Sequence, residues 1–218
     1  ATWSRLAARC AHWLADKDVR GIVITHGTDT LEETAYFLHR VLAPAKPLVL
    51  TAAMRPATSL QADGPQNLLD AVTLARDGRV AGVSVVIAGR AWAGADVRKL
   101  HSYRVDAFGS GDAGPLGYVE EGRLRRLRDW PAGDPLGLEA TDDDLEHPVE
   151  EVVLAAHVPV HGHRIDAKLL PELAHAQPVG AVTVGEVDGG LEHALPGQWG
   201  AAVGGVRVVE GRHGVLTE

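Results

Sequence analysis

Three short apolar runs, each preceded by a segment of helical period, leave this chain few ways to fold. Residues 22–25, 48–52 and 83–88 are β-branched or aliphatic runs of strand length, suited to burial on both faces. Ahead of the first, residues 2–15 put Trp3, Leu6, Cys10, Trp13 and Leu14 on one helical face. Ahead of the second, Leu31, Ala35, Leu38, Val41 and Leu42 recur at helical spacing, and Pro44 and Pro47 end the helix. Ahead of the third, Pro65 fits a first helical turn, Leu68, Leu69, Val72 and Leu74 turn inward or nearly so, and Gly78 is the stop. Helix and strand in alternation predict an α/β fold with a parallel sheet and right-handed crossovers.

The expected N-terminal domain is therefore a three-layer, parallel-sheet α/β unit of the flavodoxin or Rossmann kind. Its central stretch reads GIVITHGTDTLEETAYFLHRVL over residues 21–42. A strand runs to Thr25, the chain turns through His26, Gly27, Thr28 and Asp29, and Thr30 with Glu33 has capping-box spacing, so the helix is expected to open at Leu31. In open α/β sheets such turns lie at the carboxyl ends of strands, where ligands bind. The turns at 25–30 and 51–64 leave the same sheet edge, which places Thr28, Asp29, Ala53, Ser59 and Asp63 around one crevice. Helix-terminal N–H groups nearby suit anions. Each residue also has a plainer reading. Thr and Asp are ordinary helix caps, Gly27 permits a bend, and Asp63-Gly64 is a turn signal in its own right. His26 reads as a donor to nearby backbone.

Glycines interrupt residues 91–118, which favours strands and hairpins. Lys99 lies there and, taken alone, is an ordinary surface lysine. RLRRLR at 123–128 lacks interleaved aromatics and reads as a solvated strand with arginines on its open face. Residues 129–148 are rich in Pro, Gly and Asp and read as a linker. Asp142, Asp143 and Asp144 lack the glycine and distal glutamate of a calcium loop. The pattern then restarts, with strands at 149–155, 179–184 and 206–209, a helix at 165–176 and a weaker one at 191–202. The expected organisation is a domain over 1–128, a linker over 129–148 and a smaller α/β domain over 149–218. His157, His161 and His163 have no cysteine beside them and read as loop histidines, so no metal is expected.

Charge narrows the partners. With 21 Lys and Arg against 29 Asp and Glu, the net charge is −8, which argues against nucleic acid and anionic membranes as ligands. The single cysteine, Cys10, sits among apolar residues at helical spacing and reads as a core thiol.

The string THGTDTLEET at 25–34 resembles the second signature of bacterial-type L-asparaginases. TAAMRPATSLQADGPQN at 51–67 resembles that family's next strand and loop, and Asp96-Val97-Arg98-Lys99 resembles the segment carrying its catalytic lysine. The resemblance covers about the first half of the chain and is faint beyond. It implies hydrolysis of L-asparagine to L-aspartate and ammonia, with no cofactor and no metal. It implies a catalytic group of Thr28, Asp29 and Lys99, and substrate binding by Gly27, Thr28, Asp29 and the backbone of Ala53. Asp29 would hold the substrate's α-ammonium, and Lys99 would polarise a hydroxyl or shuttle a proton in a shielded cleft. The partner is a small amino-acid amide, and the assembly a homodimer or homotetramer when complete. The expected compartment is the cytoplasm, with the periplasm open.

The sequence also departs from the pattern. The family's first signature, a Thr-Gly-Gly-Thr string with the primary nucleophile, and its flexible-loop tyrosine are not found. Asp188-Gly189-Gly190 stands where the family has a Gly-Asn-Gly turn, and 206–212 lacks the usual Val-Arg-Ser-Ser-Arg-like ending. The expectation is an N-terminally incomplete chain, inactive alone, whose nucleophile lies upstream. Two alternatives are a non-catalytic amino-acid-binding remnant of the fold and an amide-hydrolysing subunit of a larger amidotransferase.

Overall fold

The computed structural model describes residues 2–141 and, beyond them, the strands at 151–156, 181–184, 202–203 and 206–209. Three helices, α1 (Thr2–Ala15), α2 (Leu31–Leu42) and α3 (Gly64–Arg76), precede strands β1 (Gly21–His26), β2 (Pro47–Thr51) and β3 (Gly82–Ile87) in strict alternation. Strands β4 (Arg90–Ala93), β5 (Arg98–Lys99), β6 (Phe108–Gly109) and β7 (Gly117–Glu120) follow, as the glycine pattern predicted, and then β8 (Arg123–Arg126) in the arginine-rich string. The later strands are β9 (Glu151–Ala156), β10 (Ala181–Val184), β11 (Ala202–Val203) and β12 (Val206–Val209). The helices expected at 165–176 and 191–202 and the three histidines lie outside the described residues, save that 202 begins β11.

The sheet order is β11-β12-β10-β9-β1-β2-β3-β4-β7-β8, with β5 and β6 forming a separate ribbon. β1, β2 and β3 are parallel, with Thr25 opposite Thr51. Alternation of side chains sends Ile22, Ile24, Leu48, Leu50, Val83 and Val85 to the face covered by α1 and α2. It sends Val23, Val49 and Val86 to the face covered by α3. The result is helix, sheet, helix, in three layers.

This arrangement corrects the expected handedness. The order β1-β2-β3 runs in one direction across the sheet, yet α2 and α3 lie on opposite faces. The two crossovers therefore have opposite hands, and one departs from the right-handed rule. The physical reason lies in the strands, which are apolar on both faces. With α1 and α2 on one side, α3 is left to cover Val23, Val49 and Val86.

Strand β9 pairs antiparallel with β1 along its whole length, from Gly21 opposite Ala156 to His26 opposite Glu151. The described strands after 150 thus join the same sheet. The first part of the expected linker is packed. The Leu136 and Gly137 N–H groups donate to Arg40 and Val41 carbonyls at the end of α2, and Ser4 Oγ donates to the Thr141 carbonyl.

The arginine-rich strand β8 is solvated as expected, with Leu124 buried and Arg123, Arg125 and Arg126 exposed. Arg125 pairs with Glu120, Arg126 with Asp129 and Arg128 with Asp96. Its charge is matched locally, in keeping with an edge strand guarded by charged side chains. No helix among the described residues is long and apolar enough to cross a membrane, and they hold no cluster of metal-ligating side chains.

Candidate functional site

Parallel pairing of β1 and β2 brings the turns after His26 and Thr51 out at one sheet edge. Lys99 arrives from the β5–β6 ribbon. Its Nζ donates to Thr28 Oγ1 at 2.9 Å and to Asp29 Oδ1 at 2.6 Å. Lys99 thus meets two residues that precede it by 71 and 70 positions in one cluster. The Lys99 side chain is 16 % exposed and Asp29 93 %. The ammonium beside Asp29, through its hydrogen bond and then its charge, holds that carboxyl below the ordinary carboxylate range.

Asp29 is open to solvent, whereas Lys99 is mostly covered. The turn at 27–30 projects past the sheet edge, and no described residue closes over the carboxylate. Gly27 is exposed too. Its φ is unremarkable, and a Cβ built there meets nothing within 4 Å. The fold does not require glycine at this position, which leaves open space beside Thr28.

His26 is a structural residue, as its place in the turn suggested. It is buried, and Nδ1 donates to the Gly27 carbonyl at 2.7 Å while Nε2 accepts from the Thr34 hydroxyl at 3.1 Å. The imidazole therefore ties the turn to the first turn of α2. The capping box did not form. Thr30 is the N-cap residue by position, but its side chain makes no capping bond.

Ala53 is exposed just beyond β2, close-packed against the backbone of Gly64, where a Cβ would stand 3.3 Å from its own. Its neighbours are braced by Asp63, whose carboxylate accepts from the Met54 and Arg55 N–H groups, both at 2.9 Å. Asp63 is thus the loop-stabilising group of the plainer reading. Ser59 also serves the loop: its Oγ accepts from the Gln61 N–H. Arg55 stacks 4.1 Å over the Tyr103 ring and donates to the Tyr103 carbonyl, which joins this loop to the β5–β6 connection.

Two residues went unnoticed in the sequence. Asn67, buried on α3, donates through Nδ2 to the Ala52 carbonyl at 2.8 Å and to Asp63 Oδ2 at 3.1 Å, and accepts from Ala88 N at 2.9 Å. Its position on the inward helical face, where a leucine would be expected, was the available signal. Glu32, in the first turn of α2, accepts through Oε2 from the Lys99 backbone N–H. No local pattern announces a contact across 67 positions.

The first 131 residues match the family model for the asparaginase N-terminal domain. The glutaminase-asparaginase of Pseudomonas fluorescens biotype A is 48 % identical over 121 residues, 55 % of this chain and 33 % of that protein. L-asparaginase 2 of Escherichia coli K12 is 50 % identical over 106 residues, 48 % of this chain and 30 % of that protein. The crystal structure of a probable cytoplasmic L-asparaginase from Campylobacter jejuni superposes with a TM-score of 0.57 at 45 % identity, over 59 % of this chain and 41 % of the other. The chain spans about a third of the length of the curated relatives it matches. With the family model covering more than half of its residues, the chain belongs to the asparaginase family.

Proposed function

We propose that this chain forms part of an amidohydrolase that converts L-asparagine and water to L-aspartate and ammonia. The observation that carries the reading is Lys99 Nζ bridging Thr28 Oγ1 and Asp29 Oδ1 at one sheet edge. A lysine that donates to a threonine hydroxyl leaves that hydroxyl's own proton to be donated elsewhere, and the Asp29 carboxylate is an acceptor within its reach. When the lysine gives up a proton, the same nitrogen accepts that of Thr28 or of a water beyond it. Thr28 and Lys99 are thus assigned to proton movement at the amide. The C–N bond breaks, the nitrogen leaves as ammonia, and the oxygen of water remains in the new carboxylate.

Asp29 is assigned a second task. Its exposed carboxylate is reachable by a substrate ammonium, which charge-assisted hydrogen bonding favours. Gly27 keeps the approach open, and the backbone of Ala53 is assigned to the amide pocket. In this reading the primary nucleophile is a threonine outside these 218 residues, and the working enzyme is a homodimer or homotetramer. It uses no cofactor. The compartment proposed is the cytoplasm. Relatives' names point both ways, since one from Haemophilus influenzae is named a probable periplasmic L-asparaginase.

The test compares Asp29→Asn and Lys99→Met in the protein that carries the nucleophile, with the 218-residue chain, expected to be silent, as control. Asp29→Asn should weaken calorimetric binding of aspartate and lower kcat/KM for ammonia release. Lys99→Met should lower kcat with a smaller effect on binding. Equal aspartate binding by Asp29→Asn and its parent rules out the ammonium role. Full turnover by Lys99→Met rules out the catalytic group. Aspartate binding without turnover in the unaltered protein selects the non-catalytic alternative.

A further inference from the structure

We propose that Glu32 is the positioning residue for Lys99, its carboxylate holding the lysine's backbone where the side chain can reach Thr28 and Asp29. The inference rests on the reading of those three residues as the working group.

Lys99 is poorly held by its own secondary structure. It belongs to a ribbon of two strands of two residues each, outside the main sheet. Such a ribbon is marginal by itself, and a long lysine side chain on it has many positions to choose from. The contact that fixes the residue comes from elsewhere. Glu32 Oε2 accepts from the Lys99 backbone N–H, and Glu32 is half-buried in the first turn of α2. A carboxylate is favoured there by the free N–H groups of the helix start. Glu32 follows Thr28 by four residues, so one turn-and-helix unit grips Lys99 at both ends. Its backbone is held through Glu32, and its ammonium through Thr28 and Asp29. Glu33, the next residue, is exposed and makes no such contact with Lys99.

The test follows the Asp29 carboxyl by carbon-detected NMR titration in the 218-residue chain, with Asp29→Asn for assignment. In the parent, Asp29 titrates below its ordinary value of 3.8 because Lys99 stands against it. Glu32→Ala should raise the midpoint toward 3.8, as Lys99→Met does directly. Loss of a nearby negative charge would by itself lower Asp29, so a rise reports a displaced lysine. Glu32→Met, which keeps the stem and lacks the acceptor, gives the same rise and serves where the alanine variant does not fold. Glu32→Gln retains an oxygen acceptor and should leave the midpoint low, as should Glu33→Ala, which removes an exposed carboxylate of the same charge. A midpoint that stays low in both Glu32→Ala and Glu32→Met, while Lys99→Met raises it, overturns the proposal and leaves the proposed function standing. A midpoint unmoved even by Lys99→Met removes the ion pair itself, and with it both the proposal and the observation behind the proposed function.

Discussion

Replacing Asn67 by alanine removes three side-chain hydrogen bonds at once from a residue that is 2 % exposed. Two backbone groups lose their partner, the Ala52 carbonyl and the Ala88 N–H, while Asp63 keeps its bonds to Met54 and Arg55. A buried polar group left unmatched costs about 1–3 kcal/mol. The Ala52 carbonyl is buried, whereas the Ala88 N–H belongs to an exposed residue and can turn to water, so the expected loss is about 2 kcal/mol, a sizeable share of the ~5–15 kcal/mol by which domains are ordinarily stable. Urea unfolding of parent and variant measures it. Asn67→Asp separates hydrogen bonding from packing. It preserves side-chain volume and the acceptor for Ala88, but it removes both donors and sets a second carboxylate against Asp63, 3.1 Å away. If hydrogen bonding dominates, Asn67→Asp is at least as destabilising as Asn67→Ala at neutral pH and recovers in acid. A neutral-pH loss under about 1 kcal/mol for Asn67→Asp, beside a large loss for alanine, would show that volume alone matters.

Two further predictions concern buried polar groups outside the site. Asp70 is 2 % exposed, its carboxylate accepts from Gln66 among the described residues, and burial pushes its carboxyl above the ordinary value. The folded state then holds the proton more tightly than the unfolded state. Its stability falls as pH rises from the unfolded value near 3.8 through the folded one, and stays lower above that. Asp70→Asn should flatten this fall and be the more stable protein at neutral pH; equal urea midpoints for the two at pH 7 would contradict it. Ser84 is fully buried in β3 and its Oγ has no hydrogen-bond partner among the described residues. Ser84→Ala should stabilise by about 1 kcal/mol, read as a raised urea midpoint, because it removes an unmatched hydroxyl.

Legibility in the sequence followed the range of the interaction concerned. The helices and the first three strands were visible because their apolar residues repeat at 3.6 or run without interruption, which is local information. The meeting of the two turns followed from alternation alone. Their joining by Lys99 did not, since nothing near a lysine between Arg98 and Leu100 marks it as the partner of a turn 70 positions earlier. There the family resemblance supplied what spacing could not. Helix α3 shows the limit within a single element. Periodicity placed Leu69 inward or nearly so, yet Leu69 is half-buried while Asn67 and Asp70 are buried. For Asn67 the cause is clear, since it serves backbone groups at the ends of β2 and β3. Crossover handedness was missed for a different reason. Which face α3 must cover depends on how many helices already occupy the other.

The choice between a working site and an ordinary helix cap can be argued from the turn itself. A capping role for Thr30 or Asp29 would show as a side-chain oxygen accepting from the first free N–H groups of α2. Thr30 makes no such bond, and Asp29 turns its carboxylate to Lys99. The local rule is broken where capping residues are on hand. Stability does not explain the exception. An ion pair whose carboxylate is 93 % exposed is screened by water and contributes little to folding. Gly27 is likewise not demanded by its backbone, and the space beside it is empty of protein. An unformed cap, an exposed carboxylate turned to a half-covered lysine, and an unforced glycine therefore coincide within four residues of one strand end. Departures from local consistency gather at functional sites because function holds them there when folding does not. The same exposure sets a condition on the proposed catalysis. In water a carboxylate as exposed as Asp29 attracts a substrate ammonium too weakly to select it strongly. The proposed chemistry therefore requires that substrate, or protein beyond the described residues, cover Asp29 during turnover.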